Sequence, residues 1–218
     1  MNIYTVVEGK SEKTVYPIWI PLANPVLRLA ETLDDVKDDN FYIISAGGYP
    51  QILDIVDSAI EDVNAIHAFD RLVISVDSDE TTFEERLKEI SDYINGKNCH
   101  AEIRIIIQHF CFETWALGNR QIIRRNPQAL RIRNYINIFD VRTNDPEFLP
   151  ANQRESLTRV RFAEKYLRAA LNDRYSNLTY SKGNPSVLLN EGYFTQVKNR
   201  RHQTGHIESF STFLSAFT

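Results

Sequence analysis

The first half of the chain repeats one pattern that leaves few folds open to it. A short apolar run rich in β-branched residues meets a turn of glycine or acids, and apolar residues then follow at helical spacing. Asn2-Ile3-Tyr4-Thr5-Val6-Val7 stops at Glu8-Gly9 and gives way to Val15, Ile18 and Trp19. Phe41-Tyr42-Ile43-Ile44 stops at Ser45-Ala46-Gly47-Gly48, before Ile52, Ile55, Val56, Ala59, Ile60 and Val63. Leu72-Val73-Ile74-Ser75-Val76 stops at Asp77-Ser78-Asp79-Glu80, and Thr82 with Glu85 spells a capping box ahead of Leu87, Ile90 and Ile94. A fourth run, Ile103 to Ile107, leads into Phe110-Cys111-Phe112-Glu113-Thr114-Trp115. Apolar runs that do not alternate with polar residues belong to strands covered on both faces. Strands alternating with helices imply right-handed βαβ crossovers. The expected fold class is therefore α/β, a Rossmann-like, mainly parallel sheet flanked by helices. Pro17 predicts a first helix that is short or kinked, ended by Pro21 and Pro25.

Beyond residue 118 the strand signals fade and arginine-rich helical segments take over. The spacing predicts two domains, 1–117 and a basic, mostly helical extension over 118–218. Within the extension a helix is expected from Arg154 to about Asp173, with Leu157, Val160, Ala163, Leu167 and Leu171 on its apolar side. Residues 1–113 carry 9 Lys and Arg against 21 Asp and Glu, whereas residues 114–218 carry 16 against 8. An acidic half suits a cation and a basic half suits a polyanion. No stretch approaches the roughly 18 consecutive apolar residues that a membrane span needs. With no basic and apolar leader after Met1, a cytoplasmic protein without membrane association is expected. Cys99 and Cys111 are too few for a disulfide framework or a thiolate zinc site.

In a parallel α/β sheet, ligands bind outside the carboxyl ends of the strands. The residues there are Glu8, Gly47, Gly48, Asp77, Asp79 and Glu113. Strand side chains alternate with period two, so Asp77 and Asp79 share a side if extended geometry persists that far. With Glu8, they would place three acids in one crevice, a repulsion that a divalent cation relieves. Oxygen donors favour Mg²⁺ or Mn²⁺. Such an ion suits phosphodiester hydrolysis, with Lys10 on a phosphate. Any one of these acids, taken alone, is more often a helix cap. Gly9-Lys10-Ser11 imitates the end of a P-loop, but Tyr4 stands where that motif requires glycine. His202, His206 and His109 are expected outside the site.

Val7-Glu8-Gly9-Lys10 ending a first strand, Gly47-Gly48 after the second and Val76-Asp77-Ser78-Asp79 after the third resemble the toprim domain of topoisomerases, primases and nucleases. The resemblance covers roughly residues 1–117. Cys111 to Leu117, together with Tyr180-Ser181-Lys182-Gly183-Asn184-Pro185, resembles the RloB-like and OLD-like toprim nucleases of phage defence. It implies catalytic roles for Glu8, Asp77 and Asp79, with Lys10 beside them, and metal ligation by Glu8, Asp77, Asp79 and Glu113. A zinc-bearing primase is excluded by the cysteine count, and a topoisomerase would need a further large domain. The implied activity is a metal-dependent nuclease acting on DNA or RNA. The chain lacks the ATPase domain of OLD enzymes, which implies a stand-alone nuclease or a separately encoded ATPase partner; a homo-oligomer is also compatible. The alternative is a noncatalytic toprim-like module that binds nucleic acid or a partner ATPase. Residues 114–142 hold six arginines against Asp140 alone, so Arg120, Arg124 and Arg125, with Gly47 and Gly48, are the expected substrate contacts.

Overall fold

The computed structural model describes residues 1–175 and 177–218. It carries a five-stranded sheet of order β2-β3-β1-β4-β5: β1 Ile3–Val7, β2 Arg28–Leu29, β3 Asn40–Ser45, β4 Arg71–Asp77 and β5 Glu102–Gln108. The helices are α1 Lys10–Ala23, α2 Ile52–Ile66, α3 Phe83–Ile94, α4 Phe112–Ala116, α5 Leu130–Ile138, α6 Arg159–Arg174, α7 Glu191–Thr204 and α8 Phe210–Ala216. β1 pairs in parallel with β3 and with β4, and β2 runs parallel to β3, so the α/β class expected from the sequence is the observed one. Among the described residues no helix is long and apolar enough to cross a membrane.

Two compact units divide the chain. The first comprises residues 1–77, 83–107 and 212–218, the second residues 78–82 and 108–211. The division thus comes earlier than the 117/118 boundary read from composition, and the last seven residues group with the sheet. A contact pattern of that kind leaves no trace in composition. Arg71 donates from Nη1 to the carbonyls of Ala216 (2.6 Å) and Thr218 (3.1 Å), and Phe213 stacks edge-on to Tyr16 at 4.9 Å.

Every residue of β1 and β4 is buried, as strands covered on both sides require. One face packs Tyr4, Val6, Leu72 and Ile74 against Val56, Ala59 and Val63 of α2 and Ile90 of α3. Two expectations fail locally. Helix α1 continues through Pro17 and Pro21 to Ala23 instead of stopping short. An internal proline costs about 3 kcal/mol. Burial of Val15, Tyr16, Trp19 and Ile20, each fully inaccessible and worth about 1.5–3 kcal/mol, outweighs that cost. Helix α6 starts at Arg159 rather than Arg154, because Thr158 caps it by accepting from the Arg161 N–H at 3.4 Å, while 153–155 form a separate 3-10 turn.

The second unit is built around α4, α5, α6 and α7, with Tyr135, Phe162 and Tyr166 clustered at ring separations of 5.0–5.6 Å. Ser209 ties its far end together. Its hydroxyl accepts from Trp115 Nε1–H (2.7 Å) and donates to Glu147 Oε1, which also accepts from the Ser209 N–H (3.0 Å). Burial is the main reason the Glu147 carboxyl is pushed up from 4.5 to about 7, and the negative charge of Asp145 adds to it. The fold therefore favours the protonated form. That contribution is fully present below about pH 4.5 and is lost as the pH rises through about 7, a span worth about 3 kcal/mol. Glu147→Gln keeps an acceptor for Ser209 but cannot ionise. Relative to the native chain it should gain stability between about pH 5 and about pH 8 in parallel unfolding titrations. Equal stability differences at the two pH values would refute this.

Candidate functional site

The chain runs from β1 to one side, into β3, and then crosses to β4 on the other, so its direction reverses at β1. Such a reversal opens a crevice beyond the carboxyl ends of the two diverging strands. Val7 is in register with both Ser45 and Ser75, so β1 and β3 end level and β4 runs two residues further, to Asp77. Glu8 and Asp77 lie at this point. The Glu8 N–H donates to Ser75 O at 3.0 Å, and the Asp77 N–H donates to Glu8 Oε2 at 3.0 Å, so the Glu8 carboxylate reaches from the end of β1 to the end of β4. Asp77 is 6% exposed and Glu8 half-buried. Sequence reasoning placed these two residues at adjacent strand ends, and they are brought together.

Gly47 and Gly48 follow β3 at positive φ, +85° and +133°, where a side chain would be strained. The Gly47 N–H donates to Glu8 O at 2.9 Å, fixing the glycine turn beside the first acid. Lys10 opens α1 and is exposed, with no partner for its ammonium among the described residues. Glu12, which the sequence reading passed over, is a buried carboxylate in the first turn of α1. A Cβ on Gly9 would lie 2.7 Å from Glu12 Oε2, so the bare Gly9 backbone is what lets this carboxylate fold back toward the helix start. Its signal in the sequence was a glutamate one helical turn beyond Glu8.

Asp79 does not follow the period-two expectation. β4 ends at Asp77, and Asp79 has φ +52°, a left-handed conformation in which strand alternation no longer sets side-chain direction. It belongs to the second unit, where its N–H donates to Phe110 O at 2.8 Å, and Ser78 Oγ lies 2.9 Å from His109 Nδ1. In the same unit Arg159 stacks its guanidinium over Phe110 at 4.5 Å, and Glu80 Oε1 accepts from the Val160 N–H at the start of α6. Glu113 is 1% exposed on α4. Its Oε1 accepts from Tyr180 O–H at 2.7 Å, and its Oε2 has no hydrogen-bond partner. A buried carboxylate with one orphaned oxygen is costly. Tyr180→Phe, which strips its other partner, should lower stability by about 1–3 kcal/mol in denaturant titration. An unchanged midpoint would show that the phenol contributes nothing to holding Glu113.

Among the described residues, no group of three or more His, Cys, Asp or Glu could hold a metal ion. Of the acids expected to ligate, Glu8 and Asp77 meet in the first unit, whereas Asp79 leaves the strand geometry from which its place was read. The pair in the first unit still fits one mode of binding. Magnesium takes one or two carboxylates and leaves its other positions to water and substrate phosphate.

The six arginines of residues 114–142 sort into two sets. Arg142 is clamped on Asp140 at 2.8–3.2 Å, which holds that carboxyl below its ordinary value, and Arg124 donates to Arg174 O at 3.1 Å with Asp173 3.9 Å away. Arg120, Arg125, Arg131 and Arg133 are exposed, and among the described residues none has a carboxylate partner. Unpaired, solvent-facing guanidinium groups are the footprint of a polyanion site. No family model matches this chain, and neither a curated protein nor a solved structure shows significant similarity to it.

Proposed function

We propose that this chain is a divalent-cation-dependent nuclease of the toprim kind, hydrolysing phosphodiester bonds of DNA or RNA. The observation that carries the reading is the Asp77 N–H seated on Glu8 Oε2 at the switch point of a parallel sheet. Glu8 and Asp77 would hold the cation, and Glu8 would take the proton from the attacking water. A Mg²⁺ or Mn²⁺ ion there would supply Lewis-acid chemistry to a phosphoryl oxygen and to water. Lys10 contacts a phosphate, and the Gly47-Gly48 turn lets backbone approach it closely. In the second unit, Arg120, Arg124 and Arg125 are assigned to the nucleic-acid backbone. The resemblance to RloB-like and OLD-like proteins supports a role in phage defence, with an ATPase encoded elsewhere as partner.

The exposed, unpaired arginines favour a second reading, a noncatalytic nucleic-acid-binding module, because their chemistry requires no turnover. Incubating the purified chain with plasmid, single-stranded DNA and tRNA in Mg²⁺ or Mn²⁺, with chelator controls, separates the two. Metal-dependent cleavage is expected. Salt-sensitive binding with no cleavage of any substrate, even with a co-purifying ATPase added, would replace the first reading with the second.

A further inference from the structure

The second unit contains a cavity of about 490 Å³ unlike the rest of its surface. It is lined from the segment after α4, from the carboxyl end of α6, and from the segment leading into α7. In a unit rich in arginine, none of the twelve described residues that line it is charged. Its polar groups are instead carboxamides. Asn119 is 6% exposed, and its Oδ1 accepts from the Gln121 N–H at 3.0 Å, which leaves its amide donors to face other partners. The side-chain amides of Gln121 and Gln196 have no partner among the described residues. Tyr193 is a fixed wall. Its hydroxyl donates to Ala116 O at 2.8 Å, and burial holds it neutral by pushing its pKa well up.

The chemistry of this lining selects among ligands by elimination. An anion would meet no cation inside, a cation would meet no carboxylate, and a purely apolar ligand would strand the carboxamides without partners. A flat, neutral ring carrying both donors and acceptors on its edge satisfies the glutamines and can lie against the tyrosines. A cation stands close by for an attached phosphate: Arg174 places its guanidinium 5.7 Å from the centre of the ring of Tyr175, a lining residue.

We propose that this cavity binds a nucleobase, the ring seated among Gln121, Gln196 and Tyr193 with the nucleotide's phosphate outside toward Arg174. The site extends the nuclease reading, on which it rests only for supposing that the base belongs to a polymer. Its ligand chemistry, a nucleobase, is shared by free nucleotides and by an unstacked base of a single strand.

Saturation-transfer NMR and calorimetry on the full chain, with each 5′-mononucleotide, ribose 5-phosphate and a single-stranded oligonucleotide, test it. Saturation should reach base protons more strongly than ribose protons. The Gln121→Ala/Gln196→Ala double variant should weaken the preferred mononucleotide about tenfold or more while leaving ribose 5-phosphate unchanged. Gln121 is exposed and Gln196 half-buried, so the fold should tolerate both changes. Tighter binding of the oligonucleotide assigns the site to a polymer, and equal or weaker binding assigns it to a free nucleotide; both support a base site. Ribose 5-phosphate binding as tightly as every nucleotide, or a double variant with native affinity, overturns it. The two readings fail separately: base binding without any cleavage removes the nuclease alone, and cleavage without base binding removes this site alone.

Discussion

Cleavage by an Asp77→Asn chain is expected to fall by about a thousandfold or more at saturating Mg²⁺, with little change in thermal stability. The substitution keeps shape and leaves the Asp77 N–H on Glu8 Oε2, removing only a charge at the carboxyl end of β4. Two changes at Glu8 then separate its structural role from its charge. Glu8→Gln retains an oxygen to accept from the Asp77 N–H, whereas Glu8→Ala loses both the acceptor and the charge. Both should lose cleavage to a similar extent, and Glu8→Ala alone should also lose about 1 kcal/mol of stability. The measurement is a single-turnover rate on labelled substrate beside a melting curve for each variant. A Glu8→Gln chain that cleaves at the native rate would reduce Glu8 to a backbone acceptor, and an active Asp77→Asn chain would remove the proposed chemistry from this crevice.

Arg200→Met is expected to destabilise the second unit by about 3–5 kcal/mol. Arg200 is 1% exposed, and among the described residues no carboxylate hydrogen-bonds to its guanidinium. It donates from Nη2 to Asn144 O at 2.6 Å and from Nη1 to Leu117 O at 3.4 Å, with His206 Nδ1 3.0 Å from Nη2. Burial lowers its pKa to about 10, so it remains cationic at neutral pH and must keep all these acceptors. Methionine fills much of the volume but strands buried carbonyls from separate segments. Arg200→Lys should rescue only part, because an ammonium lacks the planar fork that spans them. The chain has two tryptophans, Trp19 in the first unit and Trp115 in the second, so fluorotryptophan labelling gives each unit its own ¹⁹F signal during unfolding. The Trp115 signal should shift its transition to lower denaturant. A loss below about 1 kcal/mol would show that solvent replaces these bonds.

How far the sequence could be read depended on the range of the interactions involved. β1, β3, β4 and β5 were legible as strands from their apolar, β-branched runs, although only β1 and β4 are buried throughout. The two-residue β2 was not, since Arg28 and Leu29 are exposed and their strand character comes only from pairing with β3. Pro17 was read by its local rule, and the rule lost to burial around Trp19 and Ile20. Among the acids, Glu8 and Asp77 could be placed from strand ends alone. Asp79 could not, because its left-handed backbone is set by the bond to Phe110 O, far along the chain.

The sequence by itself determined the α/β class, the acids at the strand ends and the acidic-then-basic division of charge, all properties of short windows or of counting. Only the tertiary structure decided that β1 is the strand where direction reverses, that Glu8 reaches the backbone of Asp77, and that uncharged amides and tyrosines from three segments enclose one cavity. The physical reason is that period and propensity act over a few neighbouring residues. Strand order, a carboxylate spanning two strands and an enclosed volume depend instead on which distant segments share the same space.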